Sequence, residues 1–280
     1  MALIQTTVIE SIIQEQLKGK GKLVNLASDL GNLPNGVQNG ETHKFIKFKH
    51  IAEPTVLVKG QPIEVEELQS KETFETVKHI GKGVEIYDYD KETVIGGKGM
   101  VDIASEQLAS VFVRSLEKDL GEKLLVAPLK YKIASKTVIT AQEINTAIST
   151  GFGDDQETED MGAIVVNSML APSFYAMPEF VDINKTYATN GNGKVSNGVI
   201  GLFRGIPVVM SDVSTFKDGE CVTFILKKGA FGYKKVKGFN TEVSRVAKYK
   251  KNEVYADMMY VVGITNDTGV IVVRNTVIVA

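Results

Sequence analysis

The chain has 280 residues, 43% of them hydrophobic, and its 32 basic and 34 acidic side chains give a formal net charge of -2. That length buries a real core in one or two domains, and the near-neutral balance supplies no field for strong nucleic-acid binding. A single cysteine, Cys221, excludes an internal disulfide framework, and its place in the apolar run 221–226 predicts a buried, unreactive thiol. No apolar stretch reaches the roughly 18 to 20 residues of a membrane span, and the N-terminus lacks the pattern of a secretory signal. The expectation is a chain made and kept in the cytoplasm.

Thr7 and Glu10 have capping-box spacing, and Val8, Ile9, Ile12, Ile13 and Leu17 follow at helical intervals, predicting a short amphipathic helix. Residues 19–40 are rich in glycine, asparagine and lysine, with turn signals at Asn35-Gly36 and Asn39-Gly40, and read as an extended arm with few contacts of its own. Residues 42–58 and 67–86 read as strands joined through Lys59-Gly60-Gln61-Pro62 and the acids Glu64, Glu66 and Glu67, a long two-stranded hairpin. Such a ribbon is marginal in water unless it packs on something, so it has either an intermolecular role or a place at the edge of an ordinary sheet.

Residues 100–126 form the clearest helix, with Val101, Ala104, Leu108, Val111, Phe112, Leu116 and Leu120 on one side. A strand is expected at 134–140, then a capping box from Thr140 to Glu143 and a short helix through Ile144, Ala147 and Ile148, ending at Gly151 or Gly153. Residues 161–167 read as a buried strand, 168–175 as a short helix, and 190–194 as a mobile loop. Strands follow at 199–203 and 206–211, separated by Arg204-Gly205, then at 221–226, 230–236, 241–247, 254–264 and 270–279. The order is α+β, not an alternating βα repeat, which argues against a doubly wound nucleotide-binding fold.

Motifs that carry chemistry are missing. There is no G-x-x-x-x-G-K-[ST], the glycines from 191 to 198 have the wrong spacing for a phosphate loop, and no G-x-S-x-G elbow occurs. His43, His50 and His79 have no metal-ligand spacing and read as solvated strand residues. The acidic run Asp154, Asp155, Glu157, Glu159 and Asp160 lacks the pattern of a calcium loop and reads as a solvated loop. Lysines between 227 and 251 alternate with apolar residues, as the wet faces of strands do. No catalytic residue, cofactor or metal site is expected.

In order, the elements resemble the major capsid proteins of tailed phages, the Hong Kong 97 (Johnson) fold. The residues that carry the resemblance are the run 83–88 leading into the helix at 101–125, and Gly162-Ala163-Ile164-Val165-Val166-Asn167. Two further runs complete it: 198–211, with I-G-x-x-x-G-x-P-V-x-x-S from Ile200 to Ser211, and Leu226-Lys227-Lys228-Gly229-Ala230. The resemblance implies an N-terminal arm at 1–41 and an extended loop at 42–86. It also implies a peripheral domain from 87–128 and 239–280 with the long helix as its spine, and an axial domain at 129–238.

The resemblance further implies a virion shell protein assembled in the host cytoplasm. It would form hexamers and pentamers with itself around double-stranded DNA, with a scaffolding protein and a portal as assembly partners and no membrane. Loop residues Glu53, Lys59, Gln61, Glu64, Glu66 and Glu67 are then expected at contacts between subunits. Some relatives crosslink through a loop lysine; Lys59 and Lys71 lie there, but nothing around them marks an isopeptide site. Two alternatives stay open, an encapsulin-like nanocompartment shell and an enzyme of unrecognised mixed fold.

Overall fold

The computed structural model describes residues 21–33, 38, 40–48, 56, 60, 62–63, 65–89, 100–182 and 198–276. The expected helix at 7–17 and the loop at 190–194 lie outside these residues. A four-stranded sheet has the order β1-β13-β14-β4, from Ser28–Asn32 (β1), Phe231–Val246 (β13), Lys251–Ile264 (β14) and Lys78–Tyr87 (β4). A seven-stranded sheet has the order β5-β15-β12-β6-β9-β8-β7. Its strands are Leu129–Lys132 (β5), Met161–Val166 (β6), Phe180–Asp182 (β7), Val199–Phe203 (β8), Ile206–Met210 (β9), Thr223–Lys227 (β12) and Val270–Arg274 (β15). Two small ribbons complete the set, β2 (Thr42–Phe48) with β3 (Ser70–Thr76), and β10 (Phe216–Lys217) with β11 (Glu220–Cys221).

Among the helices, α1 spans Leu23–Leu26, α2 Met100–Leu124, α3 Ala141–Phe152 and α4 Ala171–Tyr175. The 25 residues of α2 rise about 37 Å at 1.5 Å each. Its Leu108, Phe112, Leu116 and Leu120 are buried in one cluster with Val254, Ala256 and Met258 of β14 and with Phe224, Leu226 and Val272 of the larger sheet. The neighbours that alternate with these, Ile164, Val166, Ile225, Ile271 and Val273, point the other way into a second cluster with Ile144 and Ile148 of α3 and Phe174 of α4. Burial on both faces is why these strands read as unbroken apolar runs rather than alternating ones. Val111, expected on the apolar side of α2, is half exposed instead.

The capping box forms as read: the Glu143 N–H donates to Thr140 Oγ1 (3.3 Å) and the Thr140 N–H to Glu143 Oε2 (2.9 Å), and α3 stops at Gly153. Arg204 and Gly205 take φ of 51° and 82°, the turn conformation whose twist matches two flanking strands. Cys221 is fully buried, and burial, with Asp212 and Glu220 nearby, pushes its thiol pKa up.

Several expectations need correction. The stretch 67–86 is not one strand. It breaks at buried Val77, whose N–H donates to Glu41 O (2.8 Å), so β3 pairs in the hairpin while β4 joins the four-stranded sheet. The strand expected at 134–140 lies earlier, at β5, because 134–140 wraps the start of α3, with the Ala134 N–H donating to the Glu143 carboxylate. The runs 230–236 and 241–247 are one strand, β13, kept continuous through two register shifts opposite β14. β15 ends at Arg274, where the guanidinium binds the buried carboxylate of Glu220.

The arm, expected to have few contacts of its own, is tied to its own subunit over its described part. Leu23 is fully buried, β1 runs parallel to β13, and the buried Glu117 carboxylate of α2 accepts the N–H groups of Lys22 and Leu23. Burial raises the Glu117 pKa, and the two backbone hydrogen bonds and the Lys22 charge offset this only in part. One turn further along α2, Gly121 lets the loop before β10 approach closely: a Cβ there would lie 2.0 Å from Ser214 Cβ, and the Ser214 hydroxyl donates to Glu117 O at 3.3 Å.

Two predictions follow from α2. A mid-helix Gly→Ala change ordinarily stabilises by about 1 kcal/mol. Here Gly121→Ala should instead cost roughly 1–3 kcal/mol through overpacking, and Ser214→Gly in the same chain should recover part of it, read by urea unfolding of the unassembled subunit. A carboxyl whose folded pKa is raised holds its proton over a window in which the unfolded chain has released it, so stability falls as pH rises through that window. Wild type should show this fall just above the ordinary Glu value, and Glu117→Gln should remove that part of the slope in melts taken across the window.

Candidate assembly surface

The β2–β3 hairpin has two unlike faces. Cross-strand pairs run from Thr42 opposite Thr76 to Phe48 opposite Ser70, so residues two apart share a face. The inner face carries Phe45, which is buried with Leu33, Val77 and Val261. Its ring fills the space where Gly263 has no side chain, since a Cβ there would come within 2.8 Å. Lys234 Nζ lies 5.4 Å from the ring centroid, and the His43 ring meets it edge-on at 5.7 Å. Ion pairs close the base: Lys47 Nζ with Asp267 Oδ1 at 2.5 Å, and Lys123 with Glu75.

The outer face is partly apolar and open. Ile46 is 49% and Phe74 62% exposed, at diagonal positions beside the Lys44–Glu72 pair (2.7 Å). Toward the tip Ile63, Val65 and Leu68 are also exposed. Concentrating apolar side chains on a ribbon that stands off its own core leaves area that a monomer has no means to cover. Of the residues expected at subunit contacts, Glu66 and Glu67 lie on the exposed stretch leading into β3. Glu53, Lys59, Gln61 and Glu64 lie outside the described residues. The structure therefore brings together an anchored base and an apolar outer face, and Ile46, Phe74 and Phe45 are the residues that the charge-based reading missed. The available signal was apolar residues at adjacent positions 45 and 46, which a strand must send to opposite faces.

No family model matches the sequence. A major capsid protein of Staphylococcus phage phiMR11 is 26% identical over 259 residues, 91% of this chain and 87% of that protein. The acid-stable capsid structure of Helicobacter pylori bacteriophage KHP30 superposes with a TM-score of 0.61 at 10% identity, covering 91% of this chain and 90% of that one. A structure from Mycobacterium phage Che8 superposes with a TM-score of 0.63 at 14% identity, covering 92% of each chain. In sequence the chain is similar to a phage major capsid protein, and its fold is the Hong Kong 97-type fold of phage capsids.

In this fold the groups that suggested other chemistry have structural partners. His43 Nε2 lies 2.9 Å from Lys234 Nζ, and burial, then the Lys234 charge, lowers its pKa. His79 Nε2 lies 3.0 Å from Asp257 Oδ2, and His50 lies outside the described residues. Lys251 pairs with Glu85 (2.8 Å) and Glu253 (2.7 Å), and Lys235 with Asp29 (3.0 Å), as lysines on wet strand faces do. Among the described residues no cluster of three His, Cys, Asp or Glu side chains could hold a metal ion, and no helix is long and apolar enough to cross a membrane.

Gly263→Ala should displace the Phe45 ring and loosen the hairpin base. Limited proteolysis of the unassembled subunit is expected to cut within 42–76 several times faster than in wild type. An unchanged cleavage rate would show that Phe45 does not hold the hairpin.

Proposed function

We propose that this capsid protein builds the icosahedral head of a tailed phage by associating with itself into hexamers and pentamers around double-stranded DNA. The observation that carries the reading is the hairpin, pinned at its base by Phe45 and Lys47 while Ile46 and Phe74 face outward without cover from the body. Laid across a neighbour, each such ribbon contributes a modest contact, and closed symmetry repeats it at every subunit. A scaffolding protein and a portal are the assembly partners under this reading, and DNA is enclosed without sequence-specific contacts, in keeping with the net charge of -2.

The division of labour we propose follows the chain: an arm at 1–41, the extended loop at 42–86, a peripheral domain from 87–128 and 239–280, and an axial domain at 129–238. β15 lends its edges to the sheet of the axial part. The role is structural, with no catalytic step. A nanocompartment shell built on the same fold is not favoured, because the relative detected by sequence is a phage major capsid protein.

Light scattering after size-exclusion chromatography, with negative-stain microscopy of the leading peak, tests the proposal in the presence of scaffolding protein. Wild type should give rings of five and six or closed shells. Ile46→Asp with Phe74→Asp should leave a folded subunit that no longer assembles, since each buried unpaired carboxylate costs several kcal/mol, about a hundredfold or more per contact. A wild-type chain that stays monomeric at high concentration would overturn the reading.

A further inference from the structure

The hairpin base holds an ammonium group whose partner is an imidazole. Lys234 Nζ lies 2.9 Å from His43 Nε2, in a partly buried contact. An ammonium group has only protons to give, so that ring nitrogen has to offer its lone pair and the imidazole has to be neutral. Both groups border the same ring: Lys234 Nζ is 5.4 Å from the Phe45 centroid, and the His43 ring meets Phe45 edge-on at 5.7 Å. Phe45 is the side chain that seats the ribbon, packed with Leu33, Val77 and Val261 and filling the gap at Gly263. The contact between His43 and Lys234 therefore lies at the seat itself.

The other charged groups around the pair are committed elsewhere. Across the hairpin His43 stands opposite Glu75, whose carboxylate is held by Lys123 of α2. Farther along the same face Lys47 of β2 and Lys71 of β3 both lie on Asp267, in the turn before β15. On β13 the adjacent Lys235 pairs with Asp29 of β1, and Asp119 of α2 takes Lys78 of β4. β14 sets Val261 opposite Lys234, with Met259 in the same apolar cluster, while its Asp257 is bonded to His79 of β4 and Asn240 of β13. Around the seat itself, Lys47, Lys71, Lys123 and Lys234 stand against Glu75 and Asp267 alone, and a proton on His43 adds positive charge where it is already in excess.

We infer that the His43–Lys234 contact is a proton-operated latch, holding the hairpin on its own subunit while the imidazole is neutral and releasing it when acid protonates His43. Protonation removes the acceptor and leaves two cations in contact beside one ring. Burial, first, and then the Lys234 charge hold the His43 pKa below its ordinary value. A released histidine takes up its proton near the ordinary value and a docked one only at lower pH. The docked state is therefore at full strength above the ordinary histidine value and weakens as pH falls from there to the lowered one. A two-stranded ribbon has little stability of its own once undocked, so release also alters how Ile46 and Phe74 are presented on the outer face. The inference goes beyond the shell reading and does not rest on it.

The test is hydrogen exchange on the unassembled full chain, with exchange times adjusted for the intrinsic effect of pH and α2 as the internal reference. Between about pH 7.5 and about pH 5, protection of the wild-type strands β2 and β3 should fall at least about fivefold relative to α2. Two variants should stay within about twofold over the same range: His43→Gln, whose amide oxygen accepts from Lys234 without titrating, and Lys234→Met, which keeps an apolar stem on Phe45 without the charge. A magnetic resonance titration should place the His43 imidazole, assigned by its loss in His43→Gln, below the ordinary histidine value in wild type and move it up in Lys234→Met. Wild-type protection that does not change with pH, or a loss of the same size in both variants, would overturn the inference. Should a variant be loose already at the upper pH, the titration decides: a wild-type His43 midpoint at or above the ordinary value overturns the latch, and one below it that rises in Lys234→Met supports it. Assembly does not enter the measurement, so failure of the latch leaves the shell reading standing.

Discussion

Helix α2 supplies the one apolar seam that both sheets share. Leu108, Phe112, Leu116 and Leu120 pack against β14 on one side and β12 and β15 on the other, in a single buried cluster. Because interiors are packed to crystal-like density, that seam fixes how β14, β12 and β15 lie against the helix. Two other residues of the same helix show how tightly the setting is specified. Glu117 holds the turn of α1 by its backbone N–H groups, and Gly121 admits Ser214 where any side chain would collide. Tyr260, fully buried, donates to Asp119 Oδ2 at 2.6 Å and ties β14 to the helix by a polar contact as well. Burial, first, and then that hydrogen bond push the Tyr260 phenol above its usual pKa.

Against this rigid seam the hairpin is held lightly. The Phe45 ring, the Lys47 and Lys71 ammonium groups on Asp267, the Lys123–Glu75 pair and the His43–Lys234 contact fasten its base. Two-stranded ribbons gain little stability of their own in water. On the reading proposed above, contacts that are small in the free subunit would be completed between copies, so that assembly need not trap the subunit in wrong pairings. The helical side of the larger sheet has the opposite character, with α3 and α4 backed by a full core.

The motif residues that made the resemblance specific turn out to be packing residues. Asn167, at the end of β6, accepts the Met169 N–H at 3.0 Å and donates to Thr215 Oγ1 at 3.0 Å, and the Ser211 N–H at the end of β9 donates to Val166 O. In the Leu226–Ala230 run, Gly229 takes φ of 70° and the Ala230 carbonyl accepts N–H groups from Thr265 and Asn266. Each of them answers a demand of local geometry in this chain.

Periodicity and capping chemistry, which act over three or four residues, determined α2, α3, β6, β8, β9 and β12 from the sequence alone, along with the mixed α+β class and the buried thiol of Cys221. The break at Val77, the merging of 230–236 with 241–247 into β13 and the anchoring of the arm were settled only in three dimensions. In each case the deciding partner is far along the chain: Glu41 for Val77, β14 for the continuity of β13, and Glu117 for Lys22 and Leu23. Likewise, the exposure of Ile46 and Phe74 depends on Phe45 turning its own face toward Gly263. A strand's alternation tells which residues share a face, but only the tertiary packing decides which of the two faces meets the core.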